Sequence, residues 1–264
     1  MGAHKLFGKH MRFLITAFLL LPFLLKADEL THLSGVGHDS QVDKLSFTNT
    51  QRWGKEFVQF TRHRPKYLSR DWAREIGLAK PPANSSPRTT AEIAYLKKLT
   101  AQRAGKKSAI EAEVLVTNFR YGTHTYASLT TDPKYRATSK VILAAYHDLA
   151  IATFVMKQKF NRVRPSILDK DLGHTIQIPT HPAYPSGHAT GAYVIAYHLQ
   201  ELDPESAQTY LKAAKQITEN REIAGLHYPS DSEAGRLLAR QLTDSFLNHS
   251  SFKRLMEEAR KEWP

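Results

Sequence analysis

The stretch ATSKVILAAYHDLAIATFVMKQKF, residues 137–160, decides the fold. Between Val141 and Met156 it is apolar on nearly every face, which describes a helix buried on all sides rather than one lying on a surface. His147 and Asp148 interrupt the apolar run, and its 16 residues fall short of a membrane span, so the segment reads as the central helix of a folded core. Lys157 sits at its C-terminal end, where the chain leaves the core.

Working outward toward the C-terminus, residues 161–185 read as a long loop rich in Pro, Asp and His. A helix begins at Ser186 with Ala189, Ala192, Tyr193, Ala196 and Leu199 on one face, and another runs over 204–224. Ser230 to Glu233 has the pattern of a capping box that opens a last helix with Ala234, Leu238, Leu242 and Phe246 in register. Toward the N-terminus, a helix is predicted over about 108–121, and Thr89 to Glu92 reads as a capping box before Ile93, Leu96 and Leu99. No strand, repeat or low-complexity tract stands out, so the fold class is all-α, in a single-domain helical bundle.

Residues 28–86 carry apolar patches around Trp53, Phe57 and Phe60 and around Trp72 and Ile76, followed by the loop KPPANSSP. They read as an N-terminal extension with short helices, and residues 87–264 as the main domain. Residues 1–12 hold Lys5, Lys9 and Arg12 and no acid, and Phe13 to Leu25 is apolar, so residues 1–27 have the order of a signal peptide; an uncleaved anchor is the alternative. No further integral membrane segment is expected.

With 264 residues, 41% of them hydrophobic and 23% charged, the composition is that of a globular chain, neither disordered nor membranous. The absence of Cys excludes disulfides and lipid attachment through a thiol. The net charge is +12, or +8 without residues 1–27, a balance that attracts anions. No Lys/Arg block is dense enough for a nucleic-acid footprint, so nucleic acid is not an expected partner.

Three short motifs within about 75 residues carry the chemistry: Lys157-x6-Arg164-Pro165, Pro185-Ser186-Gly187-His188, and Arg221-x5-His227-x3-Asp231. Fixed cations, backbone N–H groups and proton-exchanging side chains are what a tetrahedral oxyanion requires. Ser186 and Gly187 precede a helical pattern, so their N–H groups would lie at a helix N-terminus, where anions are favoured; Ser186 as a plain N-cap is the bland reading. Arg221 falls on the stripe Tyr210, Ala214, Ile217, Ala224, and a guanidinium there requires an anion inside, either a ligand or a structural partner such as Asp148. His227 and Asp231, four apart, fit a hydrogen-bonded pair in which the carboxylate fixes the imidazole tautomer. The same spacing would suit a metal, but no accompanying ligand cluster is evident, so no metal or other cofactor is expected. Asp231 also fits as a first-turn acid favoured by the helix dipole. His174, His181 and His198 read as loop or surface residues.

The three motifs with both internal spacings resemble the signature of the phosphatidate phosphatase type 2 (PAP2) superfamily, which holds the class A non-specific acid phosphatases and the vanadium-dependent haloperoxidases. One position departs, Asn220 standing where the signature has Ser. The resemblance implies a helical bundle of the PAP2/haloperoxidase type. It implies catalytic roles for His227 as nucleophile, His188 as general acid and Asp231 as the orienting carboxylate, with Lys157, Arg164, Ser186, Gly187 and Arg221 binding phosphate. The implied activity is that of a metal-independent acid phosphatase acting on small phosphomonoesters through a phosphohistidine, in the periplasm of a Gram-negative bacterium or secreted, and as a homodimer. The alternatives within the superfamily are a haloperoxidase-type oxidoreductase, a lipid-phosphate or pyrophosphate phosphatase, and a non-catalytic phosphate-binding protein.

Overall fold

A helix that is apolar all round can be stable in water only if other elements cover it, and the segment Arg136–Phe160 is wrapped in this way. The computed structural model describes residues 40–264; residues 1–39, which include the whole signal-like segment, lie outside them. In chain order the described part contains α1 (Ser40–Asp43), α2 (Phe47–Thr50), α3 (Lys55–Val58), α4 (Trp72–Glu75), α5 (Pro87–Leu99) and α6 (Arg103–Ala112). These are followed by α7 (Tyr126–Thr131), α8 (Arg136–Phe160), α9 (Pro165–Leu168), α10 (Gly187–Leu202), α11 (Ala207–Ile223), α12 (Pro229–Asn248) and α13 (Ser250–Arg260). The described residues are all-α apart from a two-residue antiparallel pair, β1 (Arg120–Tyr121) with β2 (His124–Thr125), which the sequence pattern does not announce.

Helix α10 packs against α11, α12 and α8, and α8 also against α7 and α13. Val141, Ile142, Leu149, Ile151 and Met156 of α8 are buried together with Val194, Ile195 and Leu199 of α10 and Leu238, Leu242 and Phe246 of α12. Each such side chain stabilises the fold by about 1.5–3 kcal/mol. The stretch Pro133–Leu168 is long and apolar enough to cross a bilayer by length and composition, yet here it supplies core. Of the two interruptions of the apolar run, Asp148 is buried and His147 is exposed beside it. Asp148 accepts from the Tyr67 N–H at 2.6 Å and pairs with His147, and the first free N–H groups of α8 are capped by Glu262, which accepts from Ala137 at 2.6 Å and Thr138 at 2.8 Å.

The extension is docked onto the far end of the same helix. Asn161 takes the left-handed conformation that ends α8; its carbonyl accepts from Phe47 N–H at 2.8 Å and its amide bonds to Thr48. Phe57 of α3 stacks on Phe154 of α8, centroids 5.2 Å apart.

Several boundaries differ from the sequence pattern. The expected helix over 108–121 ends at Ala112, after which the chain makes a 3-10 turn and turns into β1. The loop 161–185 contains α9 and a 3-10 turn at Lys170–Leu172. Neither capping box forms where the pattern places it. Helix α5 is capped by Ser86, three residues earlier, with Pro87 in its first turn, and α12 starts at Pro229 after Tyr228. In both cases a Pro with its preset φ sets the start. The displaced box residues Glu92, Ser230 and Asp231 go to the interior instead. His198 is not a surface residue: it is buried between Phe246 and Phe252, donates to the Val194 carbonyl at 2.7 Å, and is held down to about 4 by burial.

Candidate active site

The three motifs meet where the C-terminus of α8, the N-termini of α10 and α12 and the C-terminus of α11 converge. Lys157, on the last turn of α8, is fully buried and its Nζ donates to the carbonyls of Pro182 at 2.7 Å and Ala183 at 3.1 Å. Arg164, also fully buried, donates through Nη2 to the His181 carbonyl at 2.9 Å and through Nη1 to the Leu226 carbonyl at 2.9 Å, and Nη1 reaches His227 Nε2 at 3.0 Å. Ser186 is the N-cap of α10, its Oγ accepting from Ala189 N–H, so the cap residue stands at the helix terminus whose free N–H groups favour an anion. A Cβ on Gly187 would lie 3.7 Å from Thr153 Cγ2 and 3.9 Å from Lys157 Cε, so this glycine lies beside the last turns of α8.

Two glycines that the motifs do not specify hold the geometry. Gly225, at φ +77°, ends α11 in the left-handed conformation; a Cβ there would lie 2.6 Å from the Gly173 carbonyl. The tight turn it permits brings Leu226 and His227 back to Arg164. On α12, a Cβ on Gly235 would lie 2.6 Å from the Ser186 carbonyl and 2.8 Å from Ala189 Cβ. Only Gly allows α12 to cross the start of α10 this closely, and there the Ser186 N–H donates to the Asp231 carbonyl at 2.9 Å.

His227 is buried and held at both ring nitrogens. Nδ1 faces Asp231 Oδ2 at 3.2 Å and Nε2 faces Arg164 Nη1, which can only donate, so Nε2 carries the lone pair and Nδ1 the proton. Burial and the nearby Arg164 bring His227 down to about 3, against the opposing effect of Asp231. Asp231 lies at about 2: burial pushes it up, and Arg162, the His227 hydrogen bond and the Tyr228 N–H outweigh it. His188 donates from Nε2 to the Glu113 carbonyl at 3.0 Å; burial, Arg221 and His227 push it well below its ordinary value. Burial, Arg221, His227 and Arg164 thus all oppose a charged His188 in the protein alone. Burial and Arg164 likewise push Lys157 well below the usual lysine range.

Arg221 is fully buried and its anionic partner is Glu113, Nη2 to Oε2 at 2.9 Å; Asp148, the partner suggested by the sequence, is engaged with Tyr67 and His147. Four residues of the site fall outside the motif positions. Arg162 donates to Asp231 Oδ1 and Ser230 Oγ, each at 2.7 Å, lies 3.4 Å from Glu92 Oε2, and stacks over Tyr228 at 3.8 Å. Glu92 accepts from the Ser230 N–H at 3.0 Å. His181, expected as a loop residue, is buried against Phe57 and Phe154 with Nδ1 3.0 Å from Arg164 Nη2. Glu113 is the fourth. Glu92 had a readable signal, an acid on the face of Leu96 and Leu99, by the same reasoning that singles out Arg221. Among the described residues no group of three or more His, Cys, Asp or Glu is placed to hold a metal ion.

Comparison with known proteins agrees with this architecture. Residues 140–243, which contain every motif position, match the family described as the PAP2 superfamily. It is 26% identical over 117 residues to a non-specific acid phosphatase of Providencia stuartii, covering 43% of this chain and 47% of that protein. It is 30% identical over 128 residues to an acid phosphatase of Zymomonas mobilis subsp. mobilis, covering 47% of each. The chain thus spans about half the length of the curated relatives it matches. Among solved structures, a bacterial vanadium-dependent iodoperoxidase superposes with a TM-score of 0.58 at 17% identity, over 78% of this chain and 61% of that one. A bacterial vanadium-dependent chloroperoxidase superposes with a TM-score of 0.51 at 12% identity, over 80% and 58%. These two likenesses establish the helical fold.

Proposed function

We propose that the protein is a phosphohydrolase that cleaves phosphomonoesters through a phosphohistidine on His227, with no metal in the step. The observation that carries this reading is the pinning of a neutral, buried His227 between Asp231 and Arg164, with its Nε2 lone pair directed into a cluster of buried cations. An incoming phosphoryl oxygen takes over the Arg164 hydrogen bond and frees that lone pair. Nε2 then attacks phosphorus in line, the P–O bond to the alcohol breaks, and His188 gives its proton to the departing oxygen. Water, losing a proton to His188, cleaves the P–N bond and releases phosphate. Lys157, Arg164, Arg221 and the N–H groups at the start of α10 stabilise the charge on the non-bridging oxygens. The anionic substrate offsets the cations around His188, raising its proton affinity where the acid is required.

The acid phosphatase names of the curated relatives support the same reading. The basic and then apolar order of residues 1–25 supports export to the periplasm or beyond. The test is hydrolysis of an aryl phosphate at pH 5–7 in EDTA, with and without micromolar vanadate, alongside His227→Ala. Turnover insensitive to EDTA, blocked by vanadate and lost in the variant is expected. Turnover that needs added metal, or near-normal turnover by His227→Ala, would overturn the mechanism. Halide oxidation by peroxide after loading with vanadate would instead identify a haloperoxidase.

A further inference from the structure

Arg221 commits only one of its nitrogens to the protein. Nη2 donates to Glu113 Oε2 at 2.9 Å and to the Ile110 carbonyl at 3.0 Å, both at the end of α6, while Nε and Nη1 are buried with no hydrogen-bond partner among the described residues. A guanidinium is planar, so fixing Nη2 fixes where the remaining N–H groups point. Glu113 is itself clamped. Its Oε1 accepts from Asn220 Nδ2 at 2.8 Å, and Asn220 Oδ1 accepts from Gln216 at 3.0 Å. Asn220 is the one position where the chain departs from the signature, and its amide is what reaches the carboxylate. The Glu113 carbonyl accepts from His188 Nε2 at 3.0 Å, which makes that nitrogen a fixed donor and sets the ring's orientation. One residue that belongs to none of the motifs thus touches both the cation and the acid of the site.

We propose that Glu113, clamped by Asn220, is a positioning residue: its carboxylate aims Arg221 at the phosphoryl group and its carbonyl sets the orientation of the His188 ring. This rests on the phosphohydrolase reading for its consequence, though not for its geometry. The rival account is that the carboxylate merely occupies the anion site and competes with phosphate, which predicts effects of opposite sign.

The experiment compares wild type with Glu113→Gln, Glu113→Asp, Glu113→Ala, Asn220→Ala and the Glu113→Ala/Asn220→Ala double variant. Aryl phosphate kinetics, calorimetric titration with inorganic phosphate and thermal melts are measured on each. Positioning predicts that Glu113→Gln, which keeps an acceptor at the right reach, stays within about threefold of wild-type kcat. Glu113→Asp, which keeps the charge but not the reach, and Glu113→Ala fall about 10–100-fold in kcat/KM, the range for outer-shell partners and misplaced groups. Asn220→Ala falls less, and adds nothing in the Glu113→Ala background. Folded Asp and Ala variants that turn over and bind phosphate as well as wild type, or better, would overturn the proposal in favour of competition. If wild type binds phosphate without hydrolysing the ester, the phosphohydrolase reading fails alone, and weaker binding by Glu113→Asp still supports the aiming of Arg221. Wild type that neither hydrolyses nor binds phosphate overturns both.

Discussion

Replacing Arg162 by Met keeps much of the side-chain volume over Tyr228 and removes the cation between two buried carboxylates. Asp231 Oδ1 at 2.7 Å and Glu92 Oε2 at 3.4 Å would then face each other through an apolar side chain, with Asp231 fully buried and Arg162 itself only 4% exposed. Removing one partner of a buried ion pair destabilises by about 3–5 kcal/mol, because the other charge stays buried without compensation. For a chain of this size that lowers Tm by about 10 °C at pH 7. The effect has a sign with pH. In wild type the Asp231 carboxylate lies at about 2 against 3.8 for the free side chain, so its contribution is present above 3.8 and is lost as pH falls through about 2. In the variant the depressing cation is gone and burial raises the folded value, so protonation relieves the penalty on going from pH 7 to pH 4. Melting curves at both pH values measure this, and kcat at neutral pH should fall about 10–100-fold because Asp231 no longer holds His227 in one tautomer. A Tm difference that is as large at pH 4 as at pH 7, or a loss below about 1 kcal/mol, would refute the assignment of Arg162 as the counter-charge of Asp231.

The pH dependence of catalysis follows from the two histidines. On the proposed mechanism His227 is neutral and stands at about 3, while His188 is protonated and is pushed below its ordinary 6.5, so kcat/KM should rise through pH 3 and its alkaline limb should lie below pH 6.5. The alkaline limb of kcat should lie higher, since the bound anion favours protonated His188; steady-state profiles check both, and activity still rising above pH 8 would contradict the assignment. Gly235→Ala should wedge α12 away from α10, costing about 1–3 kcal/mol in urea unfolding and at least about tenfold in kcat, and a variant with wild-type values would show that the crossing has room.

What the sequence made legible was local. The apolar run of α8, the stripe interrupted by Arg221 and the spacing of His227 and Asp231 are each visible within a few turns of helix. What stayed hidden depends on partners far away in the chain: Glu113 meets Arg221 across 108 residues, and Arg162 meets Asp231 across 69. Arg162 stood in plain view two residues before Arg164, yet a cation in a loop carries no mark of what it will face. The misplaced capping boxes fail for a related reason. Thr89 to Glu92 and Ser230 to Glu233 satisfy the pattern, but a Pro just upstream starts each helix earlier and frees Glu92 and Asp231 for the interior.

The close crossing at Gly235 makes the site a property of two helices in contact rather than of the chain that links them. Ser186 and Asp231 are joined through α10, α11 and their connection, whose exposed corner at Pro204 and Glu205 lies at the opposite end of α10 from Ser186. The distance between Ser186 and Asp231 is held by the direct contact of α10 with α12, through the Ser186 N–H and the Asp231 carbonyl, and not by that corner. An insertion or a proteolytic nick at that exposed corner should therefore leave the dimensions of the constellation unchanged.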